Sequence, residues 1–65
     1  MWTVIQIVPT QAIADKMKAA LEQEGILVSL RQDSGGIEIL VSELEAEEAH
    51  EILMKRIMLT KRKHI

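Results

Sequence analysis

Few side chains in this sequence are of a type and spacing that could do chemistry. Glu47-Glu48-Ala49-His50 sets a glutamate three residues before a histidine, the spacing that di-iron helical bundles use twice over. Such a site needs a second copy and further carboxylates converging in a bundle interior, and only one copy is present here. His50 falls beside Glu47 and Glu51, off the apolar positions of its segment, so the group reads as a solvated helical face. Ser29, Ser34 and Ser42 have no histidine near them in sequence. A nucleophile needs a base held within hydrogen-bond reach, which here would have to arrive in space from His50 or His64. Asp33-Ser34-Gly35-Gly36 could cradle an anion on backbone N–H groups. It lacks the lysine and the following helix of a phosphate loop, and ordinary turn chemistry accounts for it. Lys61-Arg62-Lys63-His64 is basic but has no aromatic residues beside it on which bases could stack. The expectation is a protein with no catalytic residues, no cofactor and no metal, which is not an enzyme and does not take nucleic acid as its partner.

The elements that would position any site are organised around one hairpin, Ile26 to Val41, reading ILVSLRQDSGGIEILV. Two β-rich runs flank the turn signal Asp33 to Gly36. Ile26, Val28 and Leu30 alternate with Leu27, Ser29 and Arg31, and Ile37, Ile39 and Val41 alternate with Glu38 and Leu40. The all-apolar sets share one face only if the loop has even length, because a one-residue slip turns every side chain over. Pairing Gln32 with Ile37 satisfies this, as a four-residue loop or tightened to a two-residue Ser34-Gly35 turn. The same register sets Arg31 opposite Glu38.

Before the hairpin, Trp2 to Val8 is a β-branched run stopped by Pro9, which cannot donate to a sheet ladder. Thr3, Ile5 and Ile7 occupy one parity, and Trp2, Val4 and Val8 the other with Gln6 between them. Thr10 is a good N-cap for a helix reaching about Glu24, with Gly25 at the position a C′ glycine takes. Its apolar stripe is Ile13, Ala14, Met17, Ala20 and Leu21. After the hairpin, Ser42-Glu43-Leu44-Glu45 reads as a capping box. It opens a helix with apolar side Ala46, Ala49, Ile52, Leu53 and Ile57, ending near Arg56. Residues 60–65 read as a frayed tail.

The order is β-α-β-β-α. A right-handed crossover makes the first two strands parallel, and the third returns between them. The fold class predicted is α+β, a ferredoxin-like two-layer sandwich lacking its fourth strand, with a three-stranded sheet and both helices on one face. It forms one domain over residues 1–65. The net charge of −2 argues for neither a nucleic acid nor a membrane surface, and no apolar stretch approaches the length of a membrane span. The absence of a basic segment ahead of the apolar run near Trp2 points to a cytoplasmic protein.

Self-association is expected on two grounds. A fold of 65 residues burying roughly 4,000 Å² of apolar surface gains about 100 kcal/mol at ~25 cal/mol/Å². Ordering it at about 1.5 kcal/mol per residue costs nearly the same, so the monomer is marginal, and with no cysteine there is neither disulfide nor zinc thiolate to help. Secondly, if the helices cover the Ile5, Val28 and Ile39 parities, the other face shows Trp2, Val4, Val8, Leu27 and Leu40, with Arg31 as its cation. A monomer rarely leaves such a patch in water, and Trp and Arg are the types that anchor interfaces. These six residues are the candidate interface, and a homodimer is the simplest assembly.

The opening MWTVIQIVPTQAIADKMKAALEQEGILVSLR resembles a family of very small bacterial proteins of unknown function, described as signal-transducing and related in fold to the PII-like (GlnB-like) group. The shared pattern is Met-Trp at the start, a strand, a Pro-preceded helix with Ile13-Ala14, Glu24-Gly25 before an Ile/Val strand, then Ile39-Leu40-Val41 and the acidic helix. The resemblance implies the same ferredoxin-like fold and association between copies. This sequence departs from PII proteins in having four residues where those have a long nucleotide-binding loop, so ATP or 2-oxoglutarate binding is not carried over. Function is accordingly expected to be that of a regulatory or protein-interaction module that self-associates through its sheet. The alternative is a small-ligand sensor, ACT-like or PII-like, with a metabolite at a dimer interface.

Overall fold

The computed structural model describes residues 1–55. The chain runs β1 (Trp2–Val8), α1 (Gln11–Gln23), β2 (Ser29–Asp33), β3 (Gly36–Ser42), a 3-10 turn (Glu43–Glu45) and α2 (Ala46–Leu53). The sheet order is β1-β3-β2, with β3 antiparallel to both neighbours. This is the expected α+β sandwich of β-α-β-β-α order. The expected frayed tail, Ile57 and the ending of the last helix near Arg56 lie outside the described residues.

Each element forms for a local reason. The Thr10 hydroxyl accepts from Ile13 N–H at 3.3 Å and satisfies one of the orphan amides that open α1. At the other end Ile26 N–H donates to Leu21 C=O (3.1 Å) and Gly25 N–H donates to Glu22 C=O (3.0 Å), a Schellman closure. Gly25 stands at φ +86°, where a side chain is strained. The two residues that flank this closure, Leu21 and Ile26, are both in the core. Ser42 caps the next helical stretch, but its hydroxyl accepts from Leu44 N–H (3.2 Å) rather than from the residue after it. The first turn winds as a 3-10 turn, which tightens the geometry and brings the nearer amide into reach.

The hairpin register is the expected one, which satisfies parity and sets Arg31 opposite Glu38 rather than Gly36. Arg31 faces Glu38, Gln32 faces Ile37 and Asp33 faces Gly36, closing a two-residue Ser34-Gly35 turn. The paired part of β2 is shorter than the Ile26–Val41 reading, beginning only at Ser29. Ile26 is held under α1 by the helix closure, so the chain spends Leu27 and Val28 climbing from the helix layer to the sheet. Parity nevertheless holds, with Ile26 buried and Val28 half-buried against the core.

Both helices contact β1 and β3, and they also pack on each other. Ala14 and Leu21 from α1 and Ala49 and Leu53 from α2 meet Ile37, Ile39 and Val41 of β3, the central strand. Ile5, Met17, Leu30, Ala46 and Ile52 close the margins, half-buried. Full burial of a leucine or isoleucine side chain is worth roughly 1.5–3 kcal/mol, so these few residues supply most of the cohesion.

In β1 the structure departs from simple alternation. Val4 pairs with Leu40 and Gln6 with Ile39, which leaves Ile5 as an extra residue in a β-bulge. The inserted residue reverses the parity of the rest of the strand. Val8, expected on the uncovered face, pairs with Ile37 and is only 3% exposed in the core. Ile7, expected beneath the helices, pairs with Glu38 and is 54% exposed.

Candidate functional site: the uncovered face of the sheet

The face away from the helices is a grid built by the two registers. Its middle row is Ser29, Leu40 and Val4, and the next row is Arg31, Glu38 and Ile7. At the far end Trp2 pairs with Ser42, and Leu27 continues the parity of Ser29 and Arg31 one step beyond the ladder. The bulge gives β1 a wholly apolar contribution here, Trp2, Val4 and Ile7, because it exchanges Val8 for Ile7. Of the six residues expected at an interface, Trp2, Val4, Leu27, Arg31 and Leu40 belong to this face. Val8 does not, since the bulge has turned it into the core.

Exposure varies across the grid in the way its geometry requires. Leu40 sits on the central strand, flanked by side chains of both neighbours, and is only 7% exposed although it stands outside the core cluster. Around it Trp2, Val4, Ile7 and Leu27 are exposed, Leu27 most of all at 73%. The polar members are few and partly committed to each other. Arg31 Nε donates to Glu38 Oε1 at 2.6 Å, and Nη2 approaches the same oxygen at 2.6 Å. A cross-strand pair of this kind contributes roughly 0.2–1 kcal/mol, and the exposure of Arg31 places it low in that range.

The residues that could do chemistry are elsewhere and apart. His50, Glu47 and Glu51 are exposed on α2, where Glu51 lies 3.9 Å from Lys55 one turn on. Among the described residues no three His, Cys, Asp or Glu side chains come together as a metal-ligand set. Ser42 is occupied as a cap. At the hairpin turn the Ser34 amide donates to Asp33 Oδ1 at 2.8 Å, so a carboxylate already holds the position an anion would need. His64 and the basic run Lys61-Arg62-Lys63 lie outside the described residues.

Comparison with known proteins finds no matching family model, no matching curated protein and no matching solved structure. Any reading of function therefore rests on the face itself. Among the described residues no helix is long and apolar enough to cross a membrane.

The missing signal in the sequence was the bulge. Gln6 is the one polar residue of β1 apart from Thr3, and both parities are otherwise apolar, so neither assignment of Ile7 and Val8 conflicts with the pattern. Gly36 offered a faint clue. A Cβ built on it would stand 2.6 Å from the Val8 carbonyl oxygen, so the glycine marks where β1 crowds the hairpin.

Proposed function

We propose that the protein is a cytoplasmic, non-enzymatic interaction module that self-associates through the uncovered face of its sheet, most simply as a homodimer. One observation carries this reading: Trp2, Val4, Ile7 and Leu27 are exposed around Leu40 on a single sheet face whose charged members, Arg31 and Glu38, are paired with each other. Apolar surface of this kind gains roughly 25 cal/mol per Å² on leaving water, and a two-fold axis lets one patch bury against its own copy. The marginal core of so short a chain favours the same outcome, because association enlarges the buried surface. The resemblance to small PII-like proteins belongs to this reading, with association in place of nucleotide binding.

Trp2 supplies an internal reporter, being the single tryptophan in a chain without tyrosine or phenylalanine. On dilution from high micromolar to nanomolar concentration its emission moves to the red as the face separates and the indole meets water. Emission that is already fully red-shifted at high concentration and does not move contradicts the proposal.

A further inference from the structure

The apolar surface of the open face is not spread evenly over its grid. β1 contributes Trp2, Val4 and Ile7, one to each row, and all three are exposed. In the two rows that the β2 ladder reaches, β2 contributes Ser29 and Arg31, both polar and both exposed. Between the outer strands β3 carries Leu40, sheltered by its neighbours, and Glu38, whose side chain is 13% exposed. An apolar strip therefore runs the length of β1, and the polar side of the face lies across the sheet from it.

That asymmetry distinguishes the ways in which two copies can stack. Sheets in aligned packing keep their strands within about 30° of each other, and two orientations of a two-fold axis achieve this. An axis along the strands, centred on β3, carries β1 of one copy onto β2 of the other. It sets Ile7 over the partner's Arg31, Val4 over the partner's Ser29 and Glu38 over the partner's Glu38. Apolar side chains would then leave water only to meet polar ones, and two carboxylates would be brought together. An axis across the strands, centred on the row of Val4, Leu40 and Ser29, carries β1 onto β1 with its direction reversed. Trp2 then stands over the partner's Ile7, Val4 over the partner's Val4, and Glu38 over the partner's Ser42. The Ser42 hydroxyl accepts from Leu44 N–H and keeps its own proton to donate.

We infer that two copies stack about the axis across the strands, strip on strip, so that each Trp2 packs on the partner's Ile7. The inference rests on the association proposed for this face and fixes which residues the second copy contributes. Every exposed apolar residue of β1 is covered by another, and the two Glu38 carboxylates are kept apart.

NMR on the full chain tests the orientation, in a sample mixing isotope-labelled and unlabelled copies. The concentration is one at which sedimentation gives twice the mass of one chain. Within a chain the rows of Trp2 and Ile7 are four β3 residues apart, from Ser42 to Glu38, or about 13 Å. Contacts between the Trp2 indole protons and the Ile7 methyls are therefore expected only between copies. Contacts between copies from Trp2 to Leu27 instead overturn the inference and leave association through the face standing. A sample of twice the single-chain mass with no contact from Trp2 to the other copy overturns it as well. A wild type that sediments as one folded chain removes the proposed function, and this inference with it. Val4 supplies a second readout, because each copy presents it to itself. Val4→Glu and Val4→Lys should each weaken association by about tenfold or more, and mixing the two folded variants should restore most of it as opposite charges meet. A mixture that associates no better than either variant alone overturns the inference.

Discussion

Gly36 passes directly against the Val8 carbonyl, close enough that a Cβ at Gly36 would be 2.6 Å from that oxygen. The obstacle is backbone, fixed by the pairing of Val8 with Ile37, so no side-chain adjustment can relieve it. Gly36 also stands at φ +142°, a region essentially reserved for glycine. Gly36→Ala is therefore expected to destabilise the fold by at least about 2 kcal/mol, strain and clash together. Urea denaturation measures this, and an unchanged midpoint would mean that β1 does not lie against the hairpin as described.

Gly25 presents the opposite case, conformation without crowding. Nothing lies within 4 Å of a Cβ built there, yet φ is +86°. Gly25→Val should cost roughly 1–2 kcal/mol, all of it from forcing a β-branched residue into the left-handed region. Gly25→Asn, which tolerates that region better, should recover part of the loss. Equal stability of all three proteins would contradict the helix closure.

Leu21 and Leu53 test whether the two helices share one core. Leu21 is fully buried and Leu53 nearly so, on different helices against the same sheet face. Leu21→Ala and Leu53→Ala should each lower stability by about 2–5 kcal/mol in thermal or chemical denaturation. Neutrality of either substitution would place its helix face wrongly.

The bulge makes a sharper prediction, because it reverses what alternation implies. Val8→Ala should cost about 2 kcal/mol, from two methyl groups removed from a closed core plus the residual cavity. Ile7→Thr, measured at concentrations low enough to avoid association, should change stability by about 0.5 kcal/mol or less. The reverse order would restore strict alternation in β1 and remove Ile7 from the open face.

These cases show why some of the fold was legible in the sequence and some was not. The hairpin was, since a one-residue slip would have turned Arg31 toward the face of Ile37, Ile39 and Val41, and among the registers that avoid this the observed one sets Arg31 opposite Glu38 rather than Gly36. The closure of α1 was also readable, because Gly25 follows the last periodic residue and is itself followed by an apolar one. The bulge was not. An extra residue announces itself when it buries a polar side chain, and here Ile7 and Val8 exchange faces as two aliphatics while Gln6, though brought opposite Ile39, stays exposed. The late start of β2 was hidden for a related reason: Leu27 and Val28 have strand character, and what excludes them from the ladder is the distant anchoring of Ile26 beneath α1. Five of the six expected interface residues kept their face because they lie before the bulge or on the hairpin, and Val8 lost its place because it lies after it.

Association through the grid around Leu40 is tested most directly by sedimentation equilibrium of the full chain across micromolar concentrations. Leu40 itself is a poor probe, since a charge at so shielded a position disturbs the sheet as well as the face. Ile7 and Leu27 are exposed, so Ile7→Glu with Leu27→Glu should leave the circular dichroism spectrum unchanged while placing two like charges on a self-facing surface. The wild type is predicted to show a mass that rises toward twice that of one chain, and the folded double variant a mass that stays at that of one chain. A wild type that remains a single folded chain at high micromolar concentration would contradict association through this face.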